Sequence, residues 1–141
     1  MNRKPQRKPA AHAGDQTRSS LMARVKSKNT GPEMLARAWL RKRGIHYRTN
    51  VKSMRGSPDI VVVRKKLAIF VHGCFWHGHR CPRGRRPISR REFWDRKLDR
   101  NQERDKEAAR SLRKEGWRVS TIWACSIKSG MARLERILRE T

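Results

Sequence analysis

The sequence predicts an α/β domain with a mixed central sheet flanked by helices. Three observations predict it: helix-like and strand-like segments in the order helix, hairpin, helix, strand, helix; apolar runs rich in β-branched residues; and a length of 141 residues. That length supports one real core and is too short for two. No internal repeat is present. Residues 1–20, MNRKPQRKPAAHAGDQTRSS, lack apolar periodicity and are expected to form a disordered basic arm, leaving residues 21–141 as a single domain.

The first helix opens at TGPEMLARAWLRKRG. Thr30 is the expected N-cap, Glu33 completes a capping box, and Pro32 sits in the first turn. Met34, Leu35, Ala38 and Trp39 are expected to share its apolar face, and Gly44 to stop it. IHYRT is a short strand candidate, and SMRGSP a turn-rich loop leading into DIVVV. A basic RKK turn then separates DIVVV from LAIFVHG, which reads as a β-hairpin buried on both faces. A cationic loop, PRGRRP, precedes a long helical segment. Ser89 and Glu92 are expected to cap it, Phe93, Trp94, Leu98, Ala108, Ala109 and Leu112 to form its stripe with a break near Asp99–Asn101, and Gly116 to end it. WRVSTIWAC is a third strong strand, and MARLERILRE a closing helix.

Lys and Arg total 37 against 12 Asp and Glu, a formal net charge of +25. The natural counterpart of such an excess is a polyanion, and nucleic acid fits best because phosphate neutralisation releases counterions. An anionic membrane fits poorly: no long apolar run exists, and the helices do not segregate cations from a greasy face. No apolar stretch follows the basic N-terminus, so no signal peptide is expected. Three cysteines argue for reduced thiols in the cytosol rather than a disulfide scaffold.

The chemistry concentrates in VHGCFWHGHRC. Cys74, His79 and Cys81 form C-x4-H-x-C, and Cys125 follows the third strand. Four such ligands suit a closed tetrahedral zinc site with a structural role; the plainer alternative is thiols packed as small hydrophobes. His72 and His77 are left over. His72 ends one strand of the hairpin and Asp59 begins the other, so both fall at one edge of the sheet. An acid there is an oxygen ligand suited to Mg2+. Singly, Asp59 reads as a turn cap and His72 as a core histidine; together on a cationic chain they favour a metal-dependent phosphodiesterase site. Proline-aspartate opening a strand after a helix that carries a Glu looks like the nuclease core of restriction enzymes. The acidic-x-Lys motif expected on the next strand is missing from Ile69–His72.

HGCFWHGHRC, together with SPDIVV, EFWDRKLDRNQERD, GWRV and WAC, closely resembles the very short patch repair (Vsr) endonucleases, over roughly residues 18–128. The resemblance implies a restriction-endonuclease-like fold with a structural zinc. It also implies a nick 5′ to the thymine of the T:G mismatch left when 5-methylcytosine deaminates. Carried over by position, it makes Asp59 the Mg2+ carboxylate, with the main-chain carbonyl of Val71 in place of the missing acid; Val71 stands where the family usually has Thr. His77 becomes the general base, His72 a supporting histidine at the phosphate, Glu33 the helix acid, and Asp105 the carboxylate that orients His77. Phe75 and Trp76 would enter the base stack from the major groove and Met22 from the minor groove, as apolar wedges do. Lys97 and Asn101 fall where the family reads the mismatch. The implied partner is double-stranded DNA with a T:G mismatch, bound by a monomer in the cytoplasm at the nucleoid, with other mismatch-repair proteins as further candidates. Two alternatives remain open: a related nicking endonuclease of other DNA specificity, and a non-catalytic zinc-stabilised DNA binder. Retention of Asp59, His72, His77 and Asp105 together argues against the second.

Overall fold

The computed structural model describes residues 30–140; the expected arm over residues 1–20 and Met22 lie outside the described residues. Along the chain run α1 (Gly31–Lys42), β1 (Arg48–Thr49), β2 (Ile60–Val62), β3 (Leu67–His72), α2 (Arg91–Lys114), β4 (Arg118–Trp123) and α3 (Ile127–Arg139). The hairpin forms as its composition predicts. β2 and β3 pair antiparallel with Ile60 opposite Ile69, and every residue of both strands is buried. A single 3-10 turn at Val63–Lys65 and a left-handed Lys66 reverse the chain between them. β1 adds antiparallel to β2, while β4 adds parallel to β3, so the sheet is mixed in the order β1-β2-β3-β4. A parallel neighbour requires a long crossover, and α2 supplies it.

Period-two alternation along β3 divides the core into two layers. Leu67, Ile69 and Val71 join Ile60, Val62, Ile122, Ala36, Leu40 and Leu134 on the side covered by α1 and α3. Ala68 and Phe70 pack instead with Ala108 and Leu112 of α2. His72 continues this second series, which directs it toward α2. A third cluster, Phe75, Trp94 and Leu98, lies under the loop after β3. Gly130 lets α3 close on β4: a Cβ there would stand 3.0 Å from the branches of Ile122.

Four local expectations are corrected. On α1 the buried side is Glu33, Ala36 and Leu40, with Trp39 half-buried, while Met34, Leu35 and Ala38 are exposed. Thr30 does cap the helix, accepting from the Glu33 N–H at 3.5 Å, but the Glu33 side chain turns inward. The helix thus orients to bury an acid, which an apolar-stripe reading misses. α2 is capped by Arg90 in the left-handed region rather than by Ser89. It also runs unbroken through Asp99–Asn101, because Leu98 is buried and the polar residues after it bond to the loop. It ends before Gly116, at φ +91°, as expected. Finally, α3 starts at Ile127, four residues before the MARLERILRE segment. No helix of the described residues is long and apolar enough to cross a membrane.

Candidate active site

The hairpin register brings Asp59 against the end of β3, where its Oδ2 accepts from the Val71 N–H at 2.7 Å. Burial pushes the Asp59 carboxyl up to about 6, against the pull of that hydrogen bond; nearby Glu33 raises it further, and His77 and Arg37 lower it. Glu33 is only 1 % exposed, with Arg37 3.4 Å from its carboxylate. Buried Glu33 and half-buried Asp59, beside a main-chain segment, are a donor set for a hard divalent cation, which takes oxygen ligands.

One residue beyond Val71, His72 points to the α2 side and stacks on His77, with centroids 3.7 Å apart and planes 4° from parallel. Trp123 of β4 meets His72 edge-on at 5.2 Å. Burial, helped by the neighbouring His77 and opposed by Asp105, pushes His72 down to about 3, so it is neutral at working pH. Its Nδ1 is buried with no hydrogen-bond partner among the described residues. His77 Nδ1 lies 2.6 Å from Asp105 Oδ2, and Asp105 Oδ1 lies 4.0 Å from His72 Nε2. These three side chains are close enough to share an ion. Ligands on one tetrahedral metal would stand about 3.3 Å apart for metal–donor bonds of about 2.0 Å. The His77–Asp105 distance is a hydrogen bond instead, the arrangement of an oriented acid–base imidazole.

The loop that carries His77 is held by α2. Asn101 Nδ2 donates to the Trp76 carbonyl at 3.0 Å and Gln102 Nε2 to the Gly78 carbonyl at 2.9 Å. The imidazoles open onto a groove of about 660 Å³ between α2 and β4, with Arg80, Lys106, Arg110 and Arg113 along it. Gln102 was legible only as a surface polar residue of a helix; the glycine it meets at φ +63° was the one available hint.

Cys74, His79, Cys81 and Cys125 converge as their spacing predicts, with donor atoms all within 4.8 Å of one another. Cys125 Sγ and His79 Nδ1 are 3.4 Å apart. A tetrahedral Zn2+ with bonds of about 2.3 Å to sulfur and about 2.0 Å to nitrogen spaces those atoms about 3.5 Å apart, so the residues fit that ion. Trp123 stacks on His79 at 4.1 Å, setting the plane of the ring. Burial pushes the Cys74 thiol up to about 12. At Cys81 burial acts the same way but is outweighed by hydrogen bonds with His79, Cys74 and the Gly84 backbone, which draw it down to about 6.

Phe75 and Trp76 are differently placed. Phe75 is buried, 4 % exposed, edge-on to Trp94 at 5.2 Å; Trp76 is half-buried, 5.6 Å from the same ring. Of the expected helix stripe, Trp94 and Leu98 pack on the loop, while Ala108 and Leu112 pack on the sheet. Lys97 stands over this group, its Nζ 5.2 Å from the Trp76 ring. Beside it runs a groove of about 860 Å³ lined by Arg90, Arg91, Arg96, Lys97, Arg100 and Arg104 with Phe93 and Asn101. Repeated cations along one helix face suit a phosphate backbone.

Comparison with known proteins finds related DNA endonucleases. A family model described as DNA mismatch endonuclease Vsr matches residues 12–83. The type II nicking enzyme V.XorIIP of Xanthomonas oryzae pv. oryzae is 44% identical over 122 residues, covering 86% of this chain and 89% of that protein. The type II nicking enzyme V.NmeAIP of Neisseria meningitidis serogroup A is 42% identical over 126 residues, 87% and 90% of the two chains. The DNA mismatch endonuclease Vsr of Escherichia coli K12 is 38% identical over 112 residues, 79% and 72% of the two chains.

Proposed function

Because this chain belongs to the Vsr family of DNA mismatch endonucleases, we propose that it nicks double-stranded DNA 5′ to the thymine of a T:G mismatch. The nick initiates very short patch repair of deaminated 5-methylcytosine, through Mg2+-dependent hydrolysis of the phosphodiester. The observation that carries the reading is the His77–Asp105 hydrogen bond of 2.6 Å, beside Asp59 at the end of β3.

His77 donates from Nδ1 to Asp105, which leaves Nε2 as the acceptor that takes the proton of the attacking water. Asp105 holds the ring and balances the charge it gains. His72, kept neutral by burial, backs His77 and faces the phosphate without adding a like charge. Asp59 and the Val71 carbonyl would hold Mg2+, which would supply positive charge for the developing oxyanion and favour deprotonation of the attacking water. Glu33 adds negative potential behind Asp59. Cys74, His79, Cys81 and Cys125 would hold Zn2+ as a structural ion that fixes the loop, apart from the chemistry.

Recognition falls to the aromatic group. Trp76 is the wedge that is accessible in the free protein, with Phe75 and Trp94 set edge-on behind it. Inserting an apolar ring offsets a few kcal/mol of unstacking, least at a mismatch. Met22 is proposed as the wedge from the opposite groove. Lys97 and Asn101 read the opened bases; the amide nitrogen of Asn101 serves Trp76, and its oxygen is the group directed to a base.

The names of V.XorIIP and V.NmeAIP, both nicking enzymes, favour a second reading in which the same site acts in another sequence context. End-labelled duplexes carrying T:G, U:G, A:C or no mismatch, incubated with Mg2+ or with EDTA, test both. Nicking only 5′ to the T of T:G, and only with Mg2+, is expected. Equal nicking of matched duplex refutes the mismatch reading, and cleavage in EDTA refutes the metal reading.

A further inference from the structure

We propose that Gln102 is a positioning residue for His77, acting through the Gly78 carbonyl; this rests on the reading of His77 as the general base. Three consecutive loop residues are tied to α2. Asn101 Nδ2 donates to the Trp76 carbonyl at 3.0 Å, Asp105 pairs with the His77 ring at 2.6 Å, and Gln102 Nε2 donates to the Gly78 carbonyl at 2.9 Å. Asp105 fixes the rotation of the imidazole, but it does not fix the backbone from which the ring hangs. The carbonyls on either side do that.

Bonds within the loop leave room for such a latch. The His77 and Gly78 N–H groups reach Gly73 and Phe75 carbonyls at 3.2 and 3.3 Å, whereas the His79 N–H reaches Cys74 at 2.9 Å. The turn is therefore tightest at the Cys/His cluster and loosest around His77, where Gln102 joins. Gly78 has φ +63°, and a Cβ there would run into the Gln102 amide. Glycine and glutamine thus fit one another: the small residue admits the latch and the latch fills its space. Residues 101, 102 and 105 lie on neighbouring positions of one helix face, so the same helix segment holds the wedge and the base as one unit.

The test uses Gln102→Leu, which keeps the reach without a donor, Gln102→Glu, which sets an acceptor against the carbonyl, and Gln102→Lys, which restores a donor. Single-turnover cleavage of a T:G duplex at saturating enzyme should fall on the order of tenfold in Gln102→Leu, since small misplacements of a catalytic group are costly. Gln102→Glu should fall further and Gln102→Lys should recover most of the rate. Equilibrium binding of the same duplex without Mg2+ should stay within about twofold, since binding energy and catalytic geometry separate in such a comparison. Hydrogen exchange of the Gly78 and His79 amides in the free protein should accelerate in the Leu and Glu variants. A wild-type rate in Gln102→Leu, a parallel loss of binding and rate, or failure of Lys to rescue overturns the proposal. If the wild-type protein cuts no T:G duplex, the reading of the site fails, and unchanged exchange in Gln102→Leu then overturns the latch on its own.

Discussion

Asp59 is held in a state that costs the free protein stability. Its carboxyl sits at about 6 when folded, above the ordinary 3.8, because burial outweighs the Val71 N–H bond. Between those values the folded chain binds the proton more tightly than the unfolded chain does. The group's contribution is therefore fully present below about pH 3.8 and lost as pH rises through 6. Asp59→Asn keeps an acceptor for Val71 and removes the buried charge. Without added Mg2+, it should be more stable than wild type at pH 8 by on the order of 2–3 kcal/mol, at roughly 1.4 kcal/mol per pKa unit. Urea titrations at pH 8, 6 and 4 should show that gain shrinking to nothing at the acid end; a constant or absent gain refutes the burial account. The same variant should bind DNA and not cut it. His72 has the opposite sign: with a folded value near 3 it withholds a proton that the unfolded chain accepts below its ordinary 6.5, so its contribution is lost as pH falls through that window. Asp59, His72 and His77 were legible in the sequence because a strand end and a motif place them. Gln102 was not, since a latch onto a backbone carbonyl leaves no mark on spacing.

At the scale of elements, the strands were the most legible part. Runs such as Ile60–Val62 and Leu67–His72 are buried on both faces, so their composition alone marks them. Helix faces were less so, because α1 is oriented by inward Glu33 as much as by Ala36 and Leu40. Two predictions belong here. Cys125 lies after β4, far in sequence from Cys74, His79 and Cys81, yet its Sγ is 3.4 Å from the His79 ring. Cys125→Ser should lower bound zinc from one per chain and loosen residues 74–81 before the sheet, because zinc affinity in such sites is folding free energy. Metal analysis and hydrogen exchange check it; a zinc-free wild type, or a variant as stable as wild type, refutes the assignment. The second concerns Gly130, where α3 meets Ile122. Alanine gains up to about 1 kcal/mol of helix propensity, but overpacking costs about 1–3 kcal/mol. Gly130→Ala should therefore lower the melting temperature, and Ile122→Val in the same chain should recover part of the loss.

For the whole molecule, the +25 charge was legible from composition and named the partner class, but it says nothing about selectivity. Contacts to phosphate are blind to sequence and weaken with salt, so at low salt this chain will bind any duplex. On the proposed reading, selectivity comes from opening the stack, where a mismatch costs least. The residues proposed for that step lie in one place: Trp76 against Trp94 and Phe75, with Lys97 above and the cationic face of α2 alongside. Because Phe75 and Trp94 are buried, removing either would also damage packing. Half-buried Trp76 is the cleaner probe. Trp76→Ala should lose on the order of 1–3 kcal/mol, the range for base–aromatic stacking, on T:G duplex and almost nothing on matched duplex. His77, Asp105 and Asp59 remain in place, so a substrate already distorted near the nick should lose less. Cleavage of T:G and matched duplexes by wild type and Trp76→Ala at moderate salt measures the ratio. A ratio unchanged by the substitution would mean that Trp76 only packs the loop, and that the mismatch is sensed elsewhere on the charged face.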